Sequence, residues 1–213
     1  MMAEFEISFD RTLGNEGGYS NVAKDRGGET WRGIARKFWP NWEGWEIVDR
    51  VKAQNWDTTA ALDTALRCEV SLHQHVRLFY LTNFWRVNRL DLLDARHQEV
   101  ADKIFDMAVN CGVNMAGKVV QRWLNFGNRD QRDYADLKED GFIGMVTVAA
   151  IGAVLKTRGL RLALFALVCE HYVAYRNIVQ ADPEQEVFWW GWLARNSSFL
   201  SERHNGGKHH GRW

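Results

Sequence analysis

"FEISFDRTLGNEGGYSNVAKDRGGETWRGI" (residues 5–34) decides how this chain is read. Phe5, Phe9 and Leu13 recur every four residues, the spacing of one helix face, and Glu16 falls on the continuation of that face. Gly17 and Gly18 then end the helix as a glycine C-cap does. A carboxylate at the inner edge of a helix C-terminus meets desolvation and the negative end of the helix dipole. Both favour its protonated form. Asp25 follows in a glycine-rich loop, where solvent favours the ionised form. Such unlike surroundings push two carboxyl pKa values apart. On spacing alone, a surface Glu and a turn Asp explain the stretch as well.

Outward from that stretch the pattern is helical. Residues 17–56 read mostly as loop and short elements, and a helical period returns from Asp57, an N-cap candidate, through Leu62, Leu66, Leu72, Val76 and Phe79 toward Trp85. "RLDLLDARH" (89–97) is a connection. The next helix runs from Gln98 through Val100, Ile104, Met107 and Cys111 to Gly112, and another passes through Met115, Val119 and Trp123. Asp140-Gly141 reads as a turn and Thr147 as a cap before an apolar helix; a long helix over 160–179 and a tryptophan-rich segment follow. No alternating β pattern of useful length and no internal repeat is present, so the expected class is all-α.

Composition narrows the function. Of 213 residues, 46% are hydrophobic and 25% charged, an ordinary globular balance. With 27 basic and 27 acidic residues the formal charge is zero, which argues against binding nucleic acid through phosphate neutralisation. Cys68, Cys111 and Cys169 are odd in number and carry no C-x-x-C, so buried free thiols in a reducing compartment are expected rather than disulfides or zinc. "MMAEFEISFD" lacks the basic and apolar regions of a secretory signal, which makes the cytoplasm the expected site of synthesis. The most apolar run, "LRLALFALVCEHYVAY" (160–175), reads as too short and too polar to span a bilayer, and no stable membrane insertion is expected.

Six landmarks occur in register: "NEGGY" (15–19), "GGETWRGI" (27–34), "YLTNFW" (80–85), "FDMAVNCG" (105–112), "DGFIG" (140–144) with Thr147, and "GWLAR" (191–195). Together they resemble glycoside hydrolase family 108, lysozyme-like N-acetylmuramidases met in phages, prophages and secretion activator proteins. The resemblance implies an all-α, lysozyme-like fold with a small loop-rich lobe near the N-terminus. It implies Glu16 as the catalytic acid, and as target the β-1,4 bond between N-acetylmuramic acid and N-acetylglucosamine in bacterial peptidoglycan. It also implies a catalytic part over 1–97, a helical peptidoglycan-binding part over 98–203 and a mobile tail over 204–213. The spacing E-x8-D-x4-T is similar to that of tailed-phage lysozymes, which implies that Asp25 holds the attacking water and Thr30 orients it, with inversion at the anomeric carbon. Asn15 stands where the family often has His.

Other residues have two readings each. Glu29 is a rival second carboxylate, ranked below Asp25 because an exposed loop acid is usually a solvated charge. Tyr19 and Trp31 touch the sugar or pack; Asp106 and Asn110, at i and i+4 on one helix face, bind acetamido groups or serve a neighbouring helix end. Trp39, Trp42 and Trp45 stack on saccharide or anchor the loop, and Trp189, Trp190 and Trp192 form a glycan platform or a docking face. His209 and His210 bind metal at most adventitiously, and the expected chemistry requires no metal or organic cofactor. The expected protein is a monomeric phage or prophage endolysin reaching the wall by holin-type release. Wall remodelling for secretion, a non-catalytic glycan-binding module and a chitinase are the alternatives.

Overall fold

The computed structural model describes residues 1–13, 17–21 and 27–201. Glu16 and Asp25, the two expected catalytic carboxylates, lie outside the described residues, as does the tail over 204–213. The chain forms two compact units, Met1–Val113 and Asn114–Trp213. The fold is all-α and lysozyme-like.

The first unit holds α1 (Phe5–Leu13), a small antiparallel sheet of β1 (Tyr19–Ser20), β2 (Thr30–Trp31) and β3 (Ile34–Ala35), then α2 (Gly44–Lys52), α3 (Thr59–Cys68), α4 (Val70–Tyr80) and α5 (Gln98–Cys111). Tyr19 pairs with Trp31 and Ser20 with Thr30; Thr30 pairs with Ala35 and Trp31 with Ile34. Strands of two residues are too short for alternation to register in a sequence. Helix α2 lies within the stretch expected to hold mostly loop and short elements, and Trp45, Val48 and Val51 form its buried stripe. The helical run expected from Asp57 is two helices. Thr58, not Asp57, caps α3, its hydroxyl accepting the Ala61 N–H at 3.1 Å, and Glu69 between α3 and α4 is extended.

Helix α1 docks on α5 as its spacing predicts. The Phe5 ring lies 5.8 Å from Trp85 and 5.9 Å from Phe105, edge to face in both cases. Beside this aromatic seam runs a polar one. The buried Asp102 carboxylate accepts from Ser8 Oγ (2.6 Å), Gln98 Nε2 (2.7 Å) and Arg11 Nη1 (3.3 Å), while Gln98 also bonds both backbone groups of Glu4. Every α5 residue from Val100 to Ala108 is buried, Asp102, Lys103 and Asp106 included. Because α5 packs along α1, it belongs to the first unit; the units divide at 113/114, whereas the sequence reading drew the line at 97/98.

The second unit comprises most of α6 (Val113–Gly127), then α7 (Met145–Arg158), α8 (Leu160–Ala181) and α9 (Trp189–Ser197). The expected turn at Asp140-Gly141 is clamped to α6. Gln121 donates to Asp140 Oδ1 (2.9 Å) and Phe142 O (3.1 Å) and accepts the Gly141 N–H (2.8 Å). Gly117 is required there, since a Cβ on it would sit 2.0 Å from the Gly141 carbonyl oxygen. Thr147 is not the cap it was expected to be. Gly144 holds that position without a side-chain bond, and Thr147 is buried in the third place of α7.

Helix α8 is 22 residues long and holds an 18-residue window with a mean hydropathy of 1.2, long and apolar enough to cross a membrane by length and composition. That corrects the reading of 160–175 as too short, because the helix continues to Ala181. Its inner face packs within the unit: buried His171 lies 3.2 Å from Asn196 Oδ1, and Tyr175 stacks on Trp192 at 4.9 Å. Trp192 therefore packs inside the unit, while Trp190 is exposed. The three cysteines form no disulfide, but Cys68 is exposed and Cys111 and Cys169 are half-buried, not buried as expected.

Candidate active site

The sheet and α2 gather a charged cluster that the sequence did not announce. Glu29, one residue before β2, has a side chain only 12% exposed. Its Oε1 accepts from Tyr19 Oη at 2.7 Å and from Lys52 Nζ at 2.5 Å; its Oε2 lies 2.7 Å from Arg36 Nε as an ion pair, off the line of a hydrogen bond. Arg36 also makes a fork to Asp49, at 3.0 and 2.6 Å. Glu29 is thus no solvated loop acid: both its oxygens are engaged.

The electrostatics follow from these contacts. Burial, then the Glu29 carboxylate, push the Tyr19 hydroxyl pKa up. Burial opposes the Lys52 charge, but the bond and charge of Glu29 outweigh it, and its pKa rises. Asp49 is lowered, chiefly by the Arg36 bond. The start of β1 is pinned from the other side, where Tyr19 N donates to Asp63 Oδ1 of α3 at 2.7 Å. Gly18 makes that approach possible, because a Cβ there would lie 1.9 Å from the same oxygen. The glycine before Tyr19 in "NEGGY" thus has a steric cause. Burial raises the Asp63 pKa, and the bonds from Arg67 and the Tyr19 amide more than reverse that, leaving it lowered.

The remaining candidates separate. Thr30 is half-buried in β2 and its hydroxyl donates to Gly28 O at 3.1 Å. Trp31 is 0% exposed, so no ring face is left for a sugar and it is a core anchor of the sheet. Asp106, expected on a cleft floor, is 2% exposed and faces buried Lys103, whose Nζ lies 3.7 Å from its Oδ2. Asn110 turns its amide back onto Asp106 O (2.7 Å) and Oδ1 (3.2 Å), satisfying its own helix. Tyr19, Glu29 and Thr30 are brought together around the sheet; Asp106 and Asn110 stay on α5.

The sequence profile of the family described as Glycosyl hydrolase 108 matches residues 9–112, and that of the Predicted Peptidoglycan domain matches residues 115–197. The two follow the two structural units and together take in most of the chain. Residues 9–112 belong to the glycosyl hydrolase 108 family. No curated protein matches the chain. Ten solved chains do, among them the structure of Brucella abortus SagA, at 22% identity and a TM-score of 0.58 over 92% of this chain and 91% of that one. At that identity the likeness speaks for the shared fold.

With a glycoside hydrolase unit followed by a peptidoglycan domain, this protein is a peptidoglycan hydrolase. The Tyr19–Glu29–Lys52–Arg36 cluster ties the small sheet of its hydrolase unit to α2. Sequence reading missed it because Lys52 and Arg36 reach Glu29 only through the sheet and α2, whose bounds and pairing a stretch of mostly loop and short elements does not reveal.

Proposed function

We propose that this hydrolase is an N-acetylmuramidase, cleaving the β-1,4 bond between N-acetylmuramic acid and N-acetylglucosamine. Glu16 donates its proton to the glycosidic oxygen, Asp25 activates a water, and Thr30 orients that water, so the product forms with inversion. The Thr30 hydroxyl, spending its proton on Gly28, keeps its lone pairs for such a water. The observation that supports the assignment most is the full engagement of Glu29 by a tyrosine, a lysine and an arginine. A carboxylate so held is a scaffold, which leaves Asp25 as the carboxylate of this segment for handling water.

Mass spectrometry of digested peptidoglycan tests the bond: reducing N-acetylmuramic acid ends are expected, and reducing N-acetylglucosamine ends would refute the assignment. Glu16→Gln should lower wall clearing by about 10²–10⁴-fold, the range of general acid catalysis, with the unfolding midpoint unchanged. In its setting the enzyme is a monomeric endolysin, made in the bacterial cytoplasm and released to the wall by a holin-type route. A neighbouring holin gene is the expected finding, and neighbours encoding an envelope secretion machine would reassign it to wall remodelling.

A further inference from the structure

Apart from the Glu29 cluster, the first unit carries a groove of about 440 Å3 between the loop before α2, helix α4 and the segment after it. We propose that this groove binds a neutral N-acetylated hexosamine ring of the glycan strand, stacked on Trp39 and Phe38. The proposal rests on the glycoside hydrolase reading and adds a recognition site to it.

The walls suit a sugar face. Phe38 is 64% and Trp39 39% exposed, although both are large and apolar. An exposed aromatic ring presents the flat apolar surface that the C–H face of a pyranose covers. Trp39 is also held in place. Trp39 meets Phe79 edge to face at 4.8 Å, Trp42 meets Trp45 likewise at 5.1 Å, and Trp45 Nε1 donates to the Trp39 carbonyl at 2.8 Å. Arg36, the ion-pair partner of Glu29, lies 4.4 Å over the Trp45 ring. The aromatic wall is therefore braced against the charged cluster.

A second, independent feature is the backbone opposite. Leu81–Arg86 winds as a π-helix, a rare conformation concentrated at functional sites, and it brings Thr82 and Asn83 to the groove. Asn83 spends an amide hydrogen on Phe79 O at 2.9 Å, which fixes its orientation and leaves its Oδ1 as an acceptor for an acetamido N–H. Thr82 is exposed beside it.

Charge selects the sugar. Among the described residues, the ionisable ones lining the groove are Glu43 and His75, 3.6 Å apart, and none is a lysine or arginine. Among these groups a lactyl carboxylate meets no permanent cation and is repelled by Glu43. The unsubstituted, neutral hexosamine is the one that fits.

The test uses the full chain carrying Glu16→Gln, titrated by calorimetry and by NMR with N,N′-diacetylchitobiose and with the disaccharide of N-acetylglucosamine and N-acetylmuramic acid. Trp39→Ala should weaken chitobiose binding about tenfold, with Trp39→Phe restoring most of it. Phe38→Ala, which removes an exposed ring and so leaves the fold in place, should weaken it about threefold. The muramyl disaccharide should bind several-fold more weakly than chitobiose, and Glu43→Gln should narrow that gap. Absent chitobiose binding, unchanged affinity in both aromatic variants, or equal or tighter binding of the muramyl disaccharide would overturn the proposal. Wall clearing by the unsubstituted protein is read in parallel: its absence beside intact groove binding would sink the hydrolase reading alone.

Discussion

The two units solve the burial problem differently. The first keeps charge inside: Asp102 with three donors, Lys103 facing Asp106, and Glu29 tied to Tyr19, Lys52 and Arg36. The second buries a largely apolar core with an enclosed carboxylate, Asp133 paired to Arg129; of its buried polar side chains, Gln121 holds the 140–142 turn and Asn196 donates to the Val168 carbonyl of α8. Buried ion pairs are poor value for stability alone, since desolvation offsets their attraction. Their concentration in the hydrolase unit marks where side chains must be held in one geometry. The second unit needs only a shape.

Substitutions can break that contrast. Asp102→Ala should cost most, about 3 kcal/mol, because it strands buried Ser8 and Gln98 donors and the Arg11 charge. Urea unfolding checks it, and a loss under about 1 kcal/mol would mean the polar seam is dispensable. Glu29→Gln comes next, at about 2 kcal/mol, with Lys52 and Arg36 left facing a neutral amide. Its clearing activity should fall less than about tenfold; a loss on the scale expected for a general acid would make Glu29 the water-handling carboxylate in place of Asp25. In the second unit, Gln121→Ala should cost about 1–2 kcal/mol by freeing the 140–142 turn, read in the same unfolding experiment. An effect matching that of Asp102→Ala would erase the distinction between the units.

The smallest effect is one of pH. The Asp63 pKa is lowered in the folded state, so the unfolded chain binds its proton more readily. The stability this contributes is present above the ordinary carboxyl pKa of about 4 and is lost as pH falls through the folded value. Asp63→Asn should flatten the acid limb of the stability curve below pH 4, and an unchanged limb would assign that pH dependence to other carboxylates.

Apolar spacing made most of the fold legible. Phe5, Phe9 and Leu13 placed α1, and Val100, Ile104 and Met107 placed α5 with nearly its final bounds. What spacing could not show is that α5 is buried on its charged side too, with Asp102, Lys103 and Asp106 all enclosed. The same limit hid Glu29, whose partners come from Tyr19, Arg36 and Lys52 across strands of two residues. Trp31 and Asp106 are both buried, which their residue types could not show: residue type states what a side chain can bind, not whether it faces a groove.

The stitching of α1 to α5 reaches back to how the protein is made. Ser8 and Asp102 are 94 positions apart, so the first helix leaves the ribosome long before the partner that completes it. At roughly 5–20 residues per second, α1 waits on the order of 5–20 seconds with Phe5 and Phe9 unsheltered. The hydrolase unit therefore closes late in translation, and truncated chains ending before Asp102 should emerge sticky and open to proteases.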